Sequence, residues 1–124
     1  MNTTGLGVLG ERAAADYLTA HGFTIRERNF RSRFGEIDII ATKGPYLCFV
    51  EVKTRGARAI ARPAASVTAD KQRKIRLTAE YYIARHRTLL ERNGLQPRFD
   101  VAEVYADAAG RSGPTVRYME NAFY

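Results

Sequence analysis

The stretch Gly35-Glu36-Ile37-Asp38-Ile39-Ile40-Ala41-Thr42-Lys43-Gly44-Pro45-Tyr46-Leu47-Cys48-Phe49-Val50-Glu51-Val52-Lys53-Thr54-Arg55 decides the fold of this 124-residue chain. Residues 36–42 and 46–54 read as two strands, joined by the turn Lys43-Gly44-Pro45. Together they predict an antiparallel hairpin. Leu47-Cys48-Phe49-Val50 is apolar without alternation, as expected of a central strand covered on both faces. Residues two apart on a strand face the same side. Glu51 and Lys53 therefore project together, Val50 and Val52 point the other way, and hairpin pairing can bring Asp38 beside Glu51. Two carboxylates and a lysine then converge within a mostly apolar sheet. Burying them without partners is costly. A hard divalent cation compensates the carboxylate repulsion, and oxygen ligands suit Mg2+ or Mn2+. The other reading is a buried Glu51–Lys53 ion pair on an edge strand, with Asp38 in a turn; alternation alone leaves both open.

Outward from the hairpin, residues 5–20 read as a helix that Thr3 or Thr4 can cap and Gly22 can stop. Leu6, Leu9, Ala13, Tyr17 and Ala20 form an apolar stripe at helical spacing, widened by Ala14 and Leu18. Glu11 falls on that inner flank. Phe23–Arg28 reads as a short strand and Asn29–Gly35 as an arginine-rich turn. Downstream, residues 56–66 read as a loop. A long helix over roughly 67–92 follows, capped by Ser66 or Thr68, stopped by Gly94, and buried through Ile75, Ala79, Tyr82, Ile83 and Leu90. Arg98–Tyr105 and Pro114–Asn121 read as two more strands. The order αβββαββ predicts one α/β domain spanning residues 1–124, with a mixed five-stranded sheet flanked by helices. Its third and fourth strands are expected to be parallel across the long helix.

The formal net charge is +7. Residues 1–52 carry six Lys/Arg and six Asp/Glu, and residues 77–124 again carry six of each. Residues 53–76 carry Lys53, Arg55, Arg58, Arg62, Lys71, Arg73, Lys74 and Arg76 against Asp70 alone, so the whole excess sits there. That concentration, starting beside the acidic pair, is the footprint of a polyanion binder, although a solvated helix face has the same composition. Arginine outnumbers lysine 16 to four, and its planar fork suits phosphate. The single cysteine, Cys48, excludes an intrachain disulfide framework or zinc site and reads as a small core residue. No apolar run is long enough to span a membrane, Met1–Gly10 does not read as a signal peptide, and cytoplasm is the expected compartment.

Glu11 on the first helix, Gly35-Glu36-Ile37-Asp38 on one strand and Phe49-Val50-Glu51-Val52-Lys53-Thr54-Arg55 on the next resemble the PD-(D/E)xK signature of the restriction-endonuclease-like fold. The spacing is similar to that of archaeal Holliday junction resolvases. The nearest likeness is to the YraN-like family of small bacterial proteins. Gly10-Glu11-Arg12-Ala13-Ala14, Arg28-Asn29-Phe30-Arg31, Arg98-Phe99-Asp100-Val101 and Glu120-Asn121-Ala122-Phe123 also match that family, so the likeness covers nearly the whole chain. Ile37 stands where the signature's nominal proline would be. The resemblance implies a metal-dependent nuclease, structure-selective in DNA repair or recombination. It assigns Asp38 and Glu51 as metal-binding carboxylates and Val52 as a carbonyl ligand. Lys53 would orient or activate the attacking water, and Glu11 would be a further ligand, direct or through water. Gln72 would be a polar helper on the following helix. Resolvases of this kind act as symmetric dimers, which makes a homodimer an expectation to test.

The other signals are weaker. Gly5-Leu6-Gly7-Val8-Leu9-Gly10 matches a dinucleotide-binding pattern, but the strand that should precede it is not expected here; its glycines suit close backbone packing instead. Arg31 and Arg33, with Arg26 and Arg28, read equally as phosphate contacts or as a solubilising surface. Arg55, Arg58 and Arg62 leave the acidic strand and are expected to meet substrate, as are Lys71 and Lys74. Tyr81 and Tyr82 read as core or helix-flank residues, His21 and His86 are poorly placed as ligands, and Asp100 is expected to hold a strand partner. The competing readings are a nucleic-acid-binding module that does not cut, and an interaction protein whose acidic hairpin is structural.

Overall fold

The structure, a computed structural model, describes residues 5–55, 67–106 and 113–123. Helix α1 (Gly5–Ala20) is followed by β1 (Thr24–Ser32), β2 (Gly35–Lys43) and β3 (Tyr46–Arg55). Helices α2 (Ala69–Arg85) and α3 (Arg87–Asn93) lead to β4 (Gln96–Tyr105) and β5 (Thr115–Phe123). The five strands form one open sheet in the order β1-β2-β3-β4-β5, antiparallel throughout except for the parallel β3/β4 pair. The α2–α3 segment makes the crossover that a parallel pair requires.

The central strand packs on both faces, as its unbroken apolar run implies. Cys48 and Val50 point to the α1 side with Ala14 and Leu18, while Leu47 and Phe49 point to the α2 side with Ile75, Ala79 and Tyr82. All four β3 residues are fully buried. Because β3 is the middle strand, the edge-strand reading of Glu51 is corrected, and Asp38 lies within β2 rather than in a turn.

The structure departs from the sequence expectation in β1, in the long helix and in α1. Strand β1 runs on through Asn29-Phe30-Arg31-Ser32, shrinking the arginine-rich turn to Arg33-Phe34. Tertiary packing explains this: Phe30 meets Tyr82 edge-on, with ring centroids 5.2 Å apart. The long helix breaks at His86, whose backbone (φ −129°, ψ 32°) leaves the helical region. There the His86 ring stacks on Tyr82 at 3.9 Å and its Nδ1 makes a hydrogen bond with the Tyr82 carbonyl, 2.8 Å away. The short α3 that results carries Leu90 back against the α2-side core and ends at Gly94, whose φ of 60° favours glycine. In α1 the buried stripe is Ala14, Ala15 and Leu18, whereas Leu9 and Ala20 are exposed and Ala13 and Tyr17 are half-buried. The expected caps Thr3 and Thr4, the alternative cap Ser66 and loop residues Arg58 and Arg62 lie outside the described residues, as does the Leu6 side chain.

Candidate metal centre

The gap between β2 and β3 is the feature from which the site grows. Their ladder runs from Lys43↔Tyr46 to Ile39↔Val50 and stops there. Beyond that point β2 pairs with β1 (Ile37↔Phe30, Glu36↔Arg31), and β3 pairs with β4 as far as Arg55↔Tyr105. The two strands therefore splay apart just where Asp38 and Glu51 would have faced each other across the ladder.

The cause is visible in the faces the residues take. Ile37 packs in the α2-side core, yet Ile39, two residues on, packs in the α1-side core. Regular alternation would put both on one face, so the strand twists out of phase at Asp38. On β1, Asn29 has φ 54°, a left-handed conformation between Arg28, which pairs with Ile39, and Phe30, which pairs with Ile37. The Asn29 Oδ1 is buried without a hydrogen-bond partner.

Asp38 is thereby turned toward β3 and replaces the missing ladder bond. The Val52 N–H donates to Asp38 Oδ2 at 2.8 Å. In an extended strand a residue's N–H and C=O point to the same side, so the Val52 carbonyl also faces the gap. Burial above all, then the charges of Glu51 and Glu11, push the Asp38 carboxyl up to about 7; the Val52 hydrogen bond opposes them.

Glu51 is only 6% exposed. It shares the α2 side of the sheet with Lys53, as alternation required, and its Oε2 lies 3.8 Å from Lys53 Nζ. The same oxygen lies 3.6 Å from Lys71 Nζ, which arrives from the first turn of α2. Thr68 caps that turn, accepting from the Lys71 N–H at 3.2 Å. Gln72, expected as the polar helper, is engaged elsewhere: its Nε2 donates to the Val67 carbonyl at 2.8 Å and braces the entry to α2. The helix residue that meets the acidic pair is Lys71.

Glu11 reaches the site through close packing of α1 on β3. A Cβ at position 10 would overlap Thr54 Oγ1, so Gly10 lets the helix settle against the strand one residue before Glu11. Glu11 is half-buried and its charge is felt at Asp38. Among the described residues, no group of three or more His, Cys, Asp or Glu side chains is placed to hold one ion. Mg2+ needs only one or two carboxylates and keeps several waters. The Asp38–Glu51 pair, with the raised Asp38 carboxyl and the nearby Val52 carbonyl, fits that demand.

Glu103 is a member of the site's surroundings that the sequence reading missed. It is fully buried, lies in register with Lys53 on the neighbouring parallel strand, and accepts from the Tyr105 hydroxyl at 3.1 Å. Alternation puts it on the face of Glu51 and Lys53, since Ala102 and Val104 belong to the α1-side core. The signal was a lone carboxylate in the apolar strand Val101-Ala102-Glu103-Val104.

The other expected contacts are spread more widely. Arg31 pairs with Glu36 at 3.6 Å, Arg33 lies over the Phe34 ring at 5.0 Å, and Arg55 ends β3 half-buried. Lys74 and Arg73 both hold Asp70, at 3.2 and 2.9 Å. Asp100 holds a strand partner as expected: the Asn121 N–H, the Tyr118 hydroxyl and the Arg98 guanidinium all donate to it. Cys48 is fully buried, and burial, then the Asp100 charge, pushes its thiol up to about 12. No helix among the described residues is long and apolar enough to cross a membrane.

A family model described as "Uncharacterised protein family UPF0102" matches residues 10–104. UPF0102 protein STH1475 of Symbiobacterium thermophilum is 46% identical over 122 residues, covering 96% of each chain. A UPF0102 protein of Caldicellulosiruptor bescii is 42% identical over 99% of this chain and 100% of its own. One from Rhodococcus opacus is 42% identical over 95% of each.

Proposed function

Since the chain belongs to the UPF0102 family, we propose its function from the site itself: metal-dependent hydrolysis of DNA phosphodiester bonds. The observation that carries this reading is the splay of β2 from β3, which gathers Asp38, Glu51, the Val52 backbone and Lys53 at one gap between the strands. The restriction-endonuclease-like fold is the finer reading of the architecture, supported by the mixed five-stranded sheet and the parallel β3–α2–β4 unit beside that gap.

Asp38, Glu51 and the Val52 carbonyl would hold Mg2+ or Mn2+, with Glu11 adding negative charge at longer range. A bound divalent ion supplies a polarised phosphoryl oxygen and a water of lowered pKa. Lys53 orients the attacking water and offsets charge that develops on the phosphate. Asp38 keeps its carboxylate aimed by accepting from the Val52 N–H. The basic segment from Lys53 to Arg76 binds the polyanionic backbone. A structure-selective role in repair or recombination, and a homodimer if the target is symmetric, are the specific forms this reading takes.

One observation favours a second reading, a nucleic-acid-binding module that does not cut: two ammonium groups already serve Glu51. Cleavage of labelled single-stranded, duplex, flap and four-way-junction DNA with Mg2+ or Mn2+ separates the two. The wild type should cut at least one substrate, and Lys53→Ala should cut it about 10²-fold more slowly while still binding. Equal rates in both proteins, or no cutting by either while binding persists, would remove the catalytic claim.

A further inference from the structure

One oxygen of one buried carboxylate carries two cations. Glu51 Oε2 lies 3.8 Å from Lys53 Nζ and 3.6 Å from Lys71 Nζ. Both distances exceed ordinary hydrogen-bond length, so these are loose ion pairs. The two lysines are not equivalent. Lys53 rises from the sheet beside the fully buried Glu103, its register neighbour, and its side chain is 31% exposed. Lys71 reaches over from the rim of α2 with its side chain 40% exposed.

We propose that Lys71 is a placeholder cation: it neutralises Glu51 in the metal-free protein, a divalent ion takes its place, and the released ammonium binds a phosphate of the nucleic-acid substrate. The inference rests on the reading of this site as a metal centre. A divalent ion carries twice the charge of an ammonium and binds carboxylate oxygens at about 2.1 Å, so it displaces a monovalent group standing 3.6 Å away. Repulsion from the ion then drives Lys71 outward, and its long stem lets the ammonium turn to solvent. Asp70, the carboxylate of the same helical turn, is already held by Arg73 and Lys74. Once an ion holds Glu51, the substrate backbone offers the released ammonium a new anionic partner. Metal binding and phosphate binding are thus coupled through one residue, which keeps the vacant site from holding nucleic acid as tightly as the loaded one.

The test compares wild type, Lys71→Met and Lys71→Arg. Mn2+ affinity is read by spin resonance of the free ion. DNA affinity is read on a phosphorothioate duplex that resists cutting, with and without Mn2+. Lys71→Met should bind Mn2+ about fivefold tighter, the upper range for loss of a partly exposed ion pair, and Lys71→Arg should restore the wild-type affinity. With Mn2+ present, Lys71→Met should bind DNA about fivefold more weakly, and its salt dependence should lose about one phosphate contact. Without Mn2+ the variant and the wild type should bind DNA alike. Unchanged or weaker Mn2+ binding by Lys71→Met would overturn the proposal, as would a DNA defect of equal size with and without Mn2+. If the wild type binds Mn2+ and Lys71→Met binds it no tighter, only the placeholder role fails. If the wild type binds no Mn2+, the metal-centre reading fails with it.

Discussion

Asp38 does two things that pull in opposite directions. Its carboxylate satisfies the Val52 N–H that the splayed ladder leaves open, and its burial beside Glu51 and Glu11 makes that same charge unfavourable. The folded state raises the carboxyl from 3.8 to about 7, so it holds the proton more tightly than the unfolded chain does. Protonation of Asp38 therefore stabilises the fold. That contribution is complete below pH about 4 and is lost as the pH rises through about 7. The metal-free wild type should melt at a lower temperature at pH about 8 than at pH about 5. Asp38→Asn, which keeps an acceptor for Val52 but has no charge, should lose most of this difference. Added Mg2+ or Mn2+ should raise the wild-type melting temperature at pH about 8 and leave that of Asp38→Asn nearly unchanged. A wild type whose melting temperature is flat across this range would contradict the assignment. Gly10 is a second residue whose role is geometric. Gly10→Ala forces a methyl group onto Thr54 Oγ1 and should cost about 1–3 kcal/mol in denaturant unfolding. An unchanged stability would mean that α1 does not lie against β3 as described.

Among the elements, the first turn of α2 sets how Lys71 reaches Glu51. Thr68 caps it through the N–H of Lys71 itself, and Gln72 ties the turn to Val67. Thr68→Ala should cost about 1 kcal/mol of stability and should loosen the hold of Lys71 on Glu51, shifting Mn2+ affinity in the same direction as Lys71→Met. The β4–β5 pair depends on a different carboxylate. Its register shifts between Phe99 and Val101, opposite Asn121, whose φ of 52° is left-handed. Asp100 fills that irregularity with bonds to Asn121, Tyr118 and Arg98. Asp100→Ala leaves the Arg98 guanidinium with its buried partner removed and should cost about 3–5 kcal/mol, measured by chemical unfolding. A loss under about 1 kcal/mol would show that the bulge holds without it. Much of the element plan was legible in the sequence because periodicity and turn chemistry are local: Gly44 and Gly94 end their elements with positive φ, and the apolar run of β3 marks the central strand. The C-terminal extension of β1 and the break at His86 were not legible, since Phe30 and His86 are positioned by Tyr82, a residue distant in sequence from Phe30 and read as core or helix flank.

For the molecule as a whole, the net charge of +7 is concentrated in residues 53–76, which follow directly on Glu51-Val52 in the sequence. DNA affinity should fall steeply as salt rises, because bound counterions are released on association. A flat salt response would count against the basic segment as the contact surface. Belonging to UPF0102 by likeness along nearly the full chain, the protein offers its relatives as further subjects for the same measurement.

The amino-acid order by itself determined the mixed sheet, the parallel crossover, and the common face of Glu51 and Lys53, because strand alternation and connection lengths are properties of neighbours along the chain. Only the tertiary structure decided that β2 parts from β3 at Asp38, that Lys71 rather than Gln72 meets Glu51, and that Glu103 lies buried beside Lys53. Those outcomes depend on how sheet twist, a left-handed Asn29 and the packing of two helices bring separate segments together, and no spacing within one segment encodes them. The acidic pair could be read from the residues; the gap that holds it open had to be folded.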